Sequence, residues 1–266
     1  LGDLKAEAAV DTLIDIAEDD DNPQVMRRYA VDSLGKIGAE KAVPVLTQLL
    51  GTQQSMLRAY AVSALGNFQG QQVTDRIIGA LRDSYAPARV HALKAVAEHK
   101  IVDAFPAVRY KARNDPEANV RTEAIRTMSK IGTDDAVKEL SDILTSKSSS
   151  ARARTTAATM LIDDHLSNSV AVNAVKKVVQ DEWQARESRL LQHIGKELST
   201  ASDAKAASEL LGRFLQHRSS TIKIYGIRGI TASNLSGYSG DIEKLTDSSQ
   251  HPAVKREAEQ AIDQLD

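Results

Sequence analysis

Apolar and polar positions along this chain fall into one motif that returns eight times: a basic residue, a small residue three positions on, and usually an aliphatic residue four beyond that. The basic residues are Arg27, Arg58, Arg89, Arg121, Arg154, Arg186, Lys223 and Lys255, at intervals of 31, 31, 32, 33, 32, 37 and 32 residues. The small position reads Ala30, Ala61, Ala92, Ala124, Ala157, Arg189, Gly226 and Ala258. The aliphatic position reads Leu34, Leu65, Val96, Met128, Leu161, His193, Ile230 and Ile262, so the sixth copy breaks the rule twice. Residues three, four and seven apart share one face of a helix, and each copy therefore predicts a helix with a buried stripe.

A second apolar helix precedes each of these, as in Val10-Leu13-Ile14, Val43-Val45-Leu46-Leu49-Leu50, Ile77-Ile78-Leu81 and Val137-Leu140-Ile143-Leu144. The unit is a helical hairpin. Asp-Asp-Asp-Asn-Pro at 19–23, Asp-Ser-Tyr-Ala-Pro at 83–87, Asn-Asp-Pro at 114–116 and Gln-His-Pro at 250–252 stand just before the second helix. Asp or Asn can cap a helix start and proline is tolerated in its first turn, so these are turns between paired helices. No apolar–polar alternation flanked by hairpin turns is present, and no sheet is expected. A period in the thirties kept from end to end predicts an all-α, right-handed solenoid of about eight hairpins, a single domain over 1–266.

The stretch Leu34-Gly-Lys-Ile-Gly-Ala-Glu-Lys-Ala-Val-Pro-Val-Leu46, with Leu49-Leu50 behind it, resembles the HEAT-like repeat of the type first noted in phycobilisome lyases. Weaker versions stand at Leu65-Gly-Asn-Phe and Ser129-Lys-Ile-Gly-Thr-Asp-Asp-Ala-Val137. The resemblance covers essentially the whole chain and implies a kink at Pro44 and Pro106, inside the first helix of their hairpins. It is specific for fold; HEAT repeats serve as scaffolds, adaptors and occasionally enzymes. Leu1-Gly-Asp-Leu-Lys-Ala-Glu-Ala-Ala-Val10 matches Leu34 to Val43 at a constant offset of 33, and no Met stands at the start. These features predict that the chain opens at the tail of a second helix belonging to a longer protein. An exposed apolar edge there would let the isolated chain self-associate.

Composition narrows the function. Ten aromatic residues suit thin layers of Ala, Leu and Val. A net charge of −2 and a pI near 6.4 argue against general nucleic-acid or anionic-membrane binding. The absence of cysteine excludes disulfides, thiolate metal sites and cysteine nucleophiles, and fits a cytoplasmic or an exported chain alike. No membrane span is evident.

The chemistry of an enzyme is not evident either. His91, His99, His165, His193, His217 and His251 show no HExxH pair or other close metal-ligand spacing. Helical-repeat hydroxylases of the deoxyhypusine type carry His-Glu dipeptides for iron; here Glu98-His99 stands in reverse order and alone. HEAT-like DNA glycosylases need a basic groove with aromatic residues, and this chain has one tryptophan and nearly balanced charge. Leu235-Ser-Gly-Tyr-Ser-Gly240 follows no predicted strand and lacks a lysine for phosphate. The expectation is a non-enzyme without a cofactor.

The recurring basic residue reads as a ladder, because in HEAT-like stacks it bonds an acidic or carbonyl group of a neighbouring turn. Asp21, Asp83 and Asp115, six residues before Arg27, Arg89 and Arg121, fit that role. The opposite side of the second helices offers a binding surface. Two positions after each basic residue, roughly 200° around the helix, stand Tyr29, Tyr60, His91, Glu123, Thr156, Ser188, Tyr225 and Glu257. Three further on stand Asp32, Ser63, Lys94, Arg126, Thr159, Leu191, Arg228 and Gln260. If second helices line the concave surface, as the resemblance implies, Tyr29, Tyr60 and His91 form a ridge on the order of 20 Å long. Tyr29, Tyr60, His91, Lys94, Arg126, Tyr225 and Arg228 are the candidate partner-binding residues.

The sixth copy admits two readings: a register shift that packs Ala185, Leu190, Leu191 and Ile194, or a local site built from Trp183, Arg186, Arg189 and His193. For the whole chain the expectation is a scaffold or adaptor that binds a protein or peptide on its concave face. The alternative is a bilin-handling, chromophore-lyase-like protein; nucleic-acid binding is the least supported class.

Overall fold

The structure is a computed structural model, described over residues 6–185, 187–201 and 204–265. The chain divides into two compact units, Leu1–Thr133 and Asp134–Asp266. Among the described residues every regular element is helical. The first unit pairs α1 (Val10–Glu18) with α2 (Gln24–Ile37), α3 (Val43–Leu49) with α4 (Ser55–Leu65), α5 (Gln71–Ala80) with α6 (Ala86–Glu98), and α7 (Phe105–Asn114) with α8 (Ala118–Ile131). The second pairs α9 (Asp134–Thr145) with α10 (Ala151–His165), α11 (Ser169–Glu182) with α12 (Arg189–Thr200), α13 (Ser208–Phe214) with α14 (Ser220–Ala232), and α15 (Ser239–Glu243) with α16 (Pro252–Leu265).

In both units second helices stack on second helices: α2 on α4, α4 on α6 and α6 on α8, then α10 on α12, α12 on α14 and α14 on α16. This is the predicted solenoid of helical hairpins. The motif is its inner layer. Ala30, Ala61, Ala92, Ala124, Ala157, Gly226 and Ala258 are buried, as are Leu34, Leu65, Val96, Met128, Leu161 and Ile230. Ile262 is half-buried, and Ala261 takes the inner place beside it. Small residues are required where neighbouring second helices meet. A Cβ on Gly35 would lie 2.7 Å from the Cα of Ala64, and one on Gly66 would lie 3.2 Å from the Cβ of Ala95. One hairpin further on, the Thr127 hydroxyl donates to the Leu93 carbonyl oxygen at 3.1 Å, tying α8 to α6.

Two details differ from the sequence expectation. Pro44 and Pro106 are the second residues of α3 and α7, each preceded by a 3-10 turn, Glu40–Ala42 and Val102–Ala104. The first turn of a helix has no donor to lose, so proline starts these helices rather than kinking them. Glu7–Ala9 ahead of α1 repeats that 3-10 start, while the rest of the Leu1–Val10 match, residues 1–5, lies outside the described residues.

The turn aspartates, secondly, do not cap helices. Asp19, Asp83, Asp115 and Asp247 accept the backbone N–H two residues on, from Asp21, Tyr85, Glu117 and Ser249. Side-chain N-caps come instead from Ser150, Asn168 and Ser188. Asx turns of this kind shape the loop and leave a carboxylate oxygen for a second partner.

That second partner is the basic ladder. Arg58 grips Asp83 at 2.8 and 2.9 Å and donates to the Thr52 carbonyl oxygen at 2.9 Å. Arg89 grips Asp115 at 2.8 and 2.7 Å and donates to the Asp83 carbonyl oxygen at 2.9 Å. Each arginine thus joins the turn of its own hairpin to the carboxylate of the next. Arg121 donates to the Asp115 carbonyl oxygen at 2.6 Å. Arg27 departs from the expected pairing: it bonds Asp20, not Asp21, and the Ala17 carbonyl oxygen ten residues back. Arg154 uses the matching Leu144 carbonyl oxygen at 2.9 Å. Lys223 reaches Gln250 and Lys255 lies 3.8 Å from Glu259, while Arg186 is outside the described residues. Burial by itself would raise the Asp83 and Asp115 carboxyls. The Arg58 and Arg89 guanidiniums, with the turn N–H groups, outweigh it and hold both below the ordinary carboxylate value.

Candidate interaction surface

Helix periodicity decides what the second helices leave to solvent. On α2 the core takes Arg27, Ala30, Val31, Leu34 and Gly35, so Val25, Met26 and Tyr29 point outward, 50, 47 and 67 % exposed. On α4 the same geometry leaves Met56 43 % exposed, with Tyr60 half-buried one turn on. Val25 and Tyr29, and likewise Met56 and Tyr60, stand at i and i+4 on their helices. The Arg28 guanidinium, between the two helices, lies 6.0 Å from the Tyr60 ring centroid and contacts the Met56 sulfur. The outcome is a Tyr/Met/Val patch on two packed helices with an arginine held inside it.

Further along this face the character turns polar. Ser63, Gly66, Asn67 and Gln69 from α4 and its following loop, with His91, Lys94 and Glu98 from α6 and His99 just after it, line a groove of about 580 Å³. The His99 ring bonds the Gly66 carbonyl oxygen at 2.7 Å, closing its floor. Burial, and secondly the Lys94 charge, push the His91 imidazole below its ordinary value, so it is neutral at pH 7. Arg126 on α8 is exposed and pairs with Glu123 at 3.3 Å.

The candidate residues differ in exposure and in their partners. Tyr29 stands out, Tyr60 and His91 are half-buried, Lys94 lies in the groove, and Arg126 is occupied by its own helix. In the second unit Tyr225 is half-buried, its ring against Gly195 of α12, where an added Cβ would meet it at 2.9 Å. Arg228 is gripped by Glu257 at 2.8 and 2.9 Å and, with Gln260, Gln264, Ser199 and Thr231, lines a smaller groove of about 330 Å³. Sequence reasoning missed Val25, Met26 and Met56; the available signal was an apolar side chain four before Tyr29 and Tyr60 on the face away from the motif stripe.

Among the described residues of the irregular sixth copy, Trp183, Arg189 and His193 are not brought together. Trp183 follows α11 rather than starting α12, and stacks on Phe214 with centroids 6.4 Å apart. His217 meets its edge at 4.6 Å, and the Arg213 guanidinium lies 4.3 Å from its ring centroid. His193 instead turns to α10, bonding the Thr159 hydroxyl at 2.8 Å and the Thr155 carbonyl oxygen at 3.1 Å, while Arg189 is exposed. Leu190, Leu191 and Ile194 are buried, as a register shift requires, though Ala185 is half-buried. Arg186 lies outside the described residues.

Among the described residues no helix is long and apolar enough to cross a membrane, and no three His, Asp or Glu residues group so as to hold a metal ion. The family model described as "Spirochaete HEAT repeat protein" matches residues 1–261. The chain belongs to this HEAT repeat family. No curated protein matches it. Among solved structures this HEAT repeat chain is similar to Escherichia coli YibA, at 18% identity and a TM-score of 0.57, over 96% of this chain and 91% of YibA. It is also similar to Kap121p, at 11% identity and a TM-score of 0.62, over 96% of this chain and 32% of Kap121p. At these identities the likeness shows the HEAT solenoid fold and nothing of a shared partner.

Proposed function

We propose that this HEAT repeat protein is a non-enzymatic scaffold or adaptor whose second-helix face in the first unit docks a polypeptide. One observation carries the reading: Val25, Met26, Tyr29, Met56 and Tyr60 form an apolar patch on α2 and α4, held by helices whose cores are otherwise filled. Large apolar side chains concentrated on a rigid exposed face support docking, because a partner removes them from water without reorganising the fold. Tyr contributes area at low entropic cost, and Met adapts to the shape that arrives.

The test is affinity capture with the native protein beside a Tyr29→Ala/Tyr60→Ala variant, read by mass spectrometry, with helicity of both checked by circular dichroism. A polypeptide bound by the native protein and lost from an equally folded variant is the expected result. Equal capture by both removes the patch from the reading. Titration with a bilin covers the chromophore-handling alternative: a shifted absorbance band that survives the double substitution would replace docking as the function.

A further inference from the structure

The α2 half of the patch, Val25, Met26 and Tyr29, stands in an acidic stretch of the first unit, while Met56 and Tyr60 on α4 stand at the start of a basic one. Residues 6–50 hold nine acidic and four basic side chains, whereas residues 51–133 hold seven acidic and twelve basic. Three of the four cations of the acidic stretch are paired with carboxylates, and the fourth, Arg28, keeps its charge inside the patch. Arg27 bonds Asp20, Lys36 lies 3.1 Å from Asp32, Lys41 lies 2.8 Å from Asp11, and Arg28 is held by Met56 and the Tyr60 ring. Among the described residues Glu7, Asp15, Glu18, Asp19, Asp21 and Glu40 are all exposed, with no cation at ion-pair distance.

Three of those carboxylates border the patch. Glu18, Asp19 and Asp21 lie at the end of α1 and in the turn that feeds α2, directly before Val25 and Met26, whose side chains lean back toward that end. Folding accounts for one of them and part of another. Asp19 accepts the Asp21 N–H and an Asn22 side-chain N–H, and Asp21 stands near the positive end of α2, where a carboxylate is favourable. Glu18 has no such account. It is the last residue of α1, where the helix dipole disfavours a negative charge, and no cation offsets it there.

We infer that the occupant of this face is a basic polypeptide segment, in which Lys or Arg flanks an apolar anchor. The anchor rests among Val25, Met26, Tyr29 and Met56, and the flanking cations face Glu18 and Asp21. A single exposed pair contributes little. The sign of the whole acidic border decides the choice, since it attracts a cationic segment, speeds its encounter and repels an acidic one. The inference rests on the docking reading above and adds the charge of the partner.

A random 12-residue peptide display library is selected on immobilised protein, and the strongest binder is synthesised and titrated by fluorescence anisotropy. Enriched sequences are expected to place Lys or Arg within a few residues of Leu, Met or Phe. The Glu18→Lys/Asp21→Lys variant, both sites being exposed, is expected to bind about tenfold more weakly, with the difference shrinking as salt rises. Acidic or charge-neutral enriched peptides that still lose binding in the Tyr29→Ala/Tyr60→Ala variant overturn the charge assignment and leave the docking reading standing. Basic peptides whose affinity is unchanged in Glu18→Lys/Asp21→Lys also overturn it. No enrichment above an uncoated control overturns both.

Discussion

The position six residues before the basic residue of the motif is filled differently in the two units, and the difference shows how one repeat can be joined in two ways. In two of the four copies of the first unit it is Asp83 or Asp115, which closes its turn and takes the arginine of the preceding hairpin. In the second unit the residue six before Lys223 is His217. Its Nδ1 accepts the Ser219 N–H at 3.0 Å, the same turn-closing bond, and its Nε2 faces the Trp183 carbonyl oxygen at 3.2 Å. The ring then packs against Trp183, which itself lies on Phe214 and under Arg213. The charged rung is replaced by an aromatic one, in the stretch where the repeat interval lengthens to 37 residues.

The comparison breaks most sharply at Asp115. Its side chain is fully buried, and Asp115→Ala leaves the Arg89 guanidinium buried without a counter-charge. A loss of about 3–5 kcal/mol is expected, measured by urea denaturation. Trp183→Ala removes the aromatic rung. Because Trp183 is half-buried and its partners can relax, the expected loss is smaller, about 2–3 kcal/mol, and confined in hydrogen exchange to α11 through α14.

The smallest effect separates the two joints by pH. Burial, countered in part by the Trp183 carbonyl and reinforced by the Arg218 and Lys223 charges, lowers the His217 imidazole from its ordinary value. The unfolded chain therefore binds this proton first, and the joint's contribution is complete above about pH 6.5 and lost as pH falls below it. The Asp83 and Asp115 carboxyls are lowered too, so the ladder's contribution is complete above about pH 4 and lost only as pH falls through their folded values. Hydrogen exchange corrected for intrinsic rate, at pH 7.5, 5.5 and 3.5, is expected to loosen α13 and the start of α14 at pH 5.5, and α4 to α8 only at the lowest pH. Simultaneous loosening of both would show that His217 titrates as an ordinary imidazole.

Most of the fold was legible because the repeat restates one rule many times. Ala92 or Leu161 could be misjudged alone, but eight copies at near-constant spacing leave little choice of buried face. The ladder was legible as a tendency, not as a wiring diagram. Asp83 and Asp115 were singled out by their spacing from Arg89 and Arg121, yet each carboxylate bonds the arginine of the preceding hairpin, because stacking carries that guanidinium over the next turn. His217 escaped notice because it breaks the residue type while keeping the register. On the candidate surface Tyr29 was read correctly as outward-facing, whereas Tyr225 was not separable from it: both follow a basic residue by two, but Gly195 on the neighbouring helix draws the Tyr225 ring inward.

The sequence by itself determined the helical hairpin, its period and the buried stripe of small and aliphatic residues, since these follow from spacing along one chain, and the stretch from Leu34 to Leu46 carried the resemblance to HEAT-like repeats. The tertiary structure decided which hairpin each arginine serves, which outward residues stay exposed, and that the irregular copy is an aromatic joint. Those properties depend on what a neighbouring helix places a few ångströms away, and the order of residues within one helix does not contain that information.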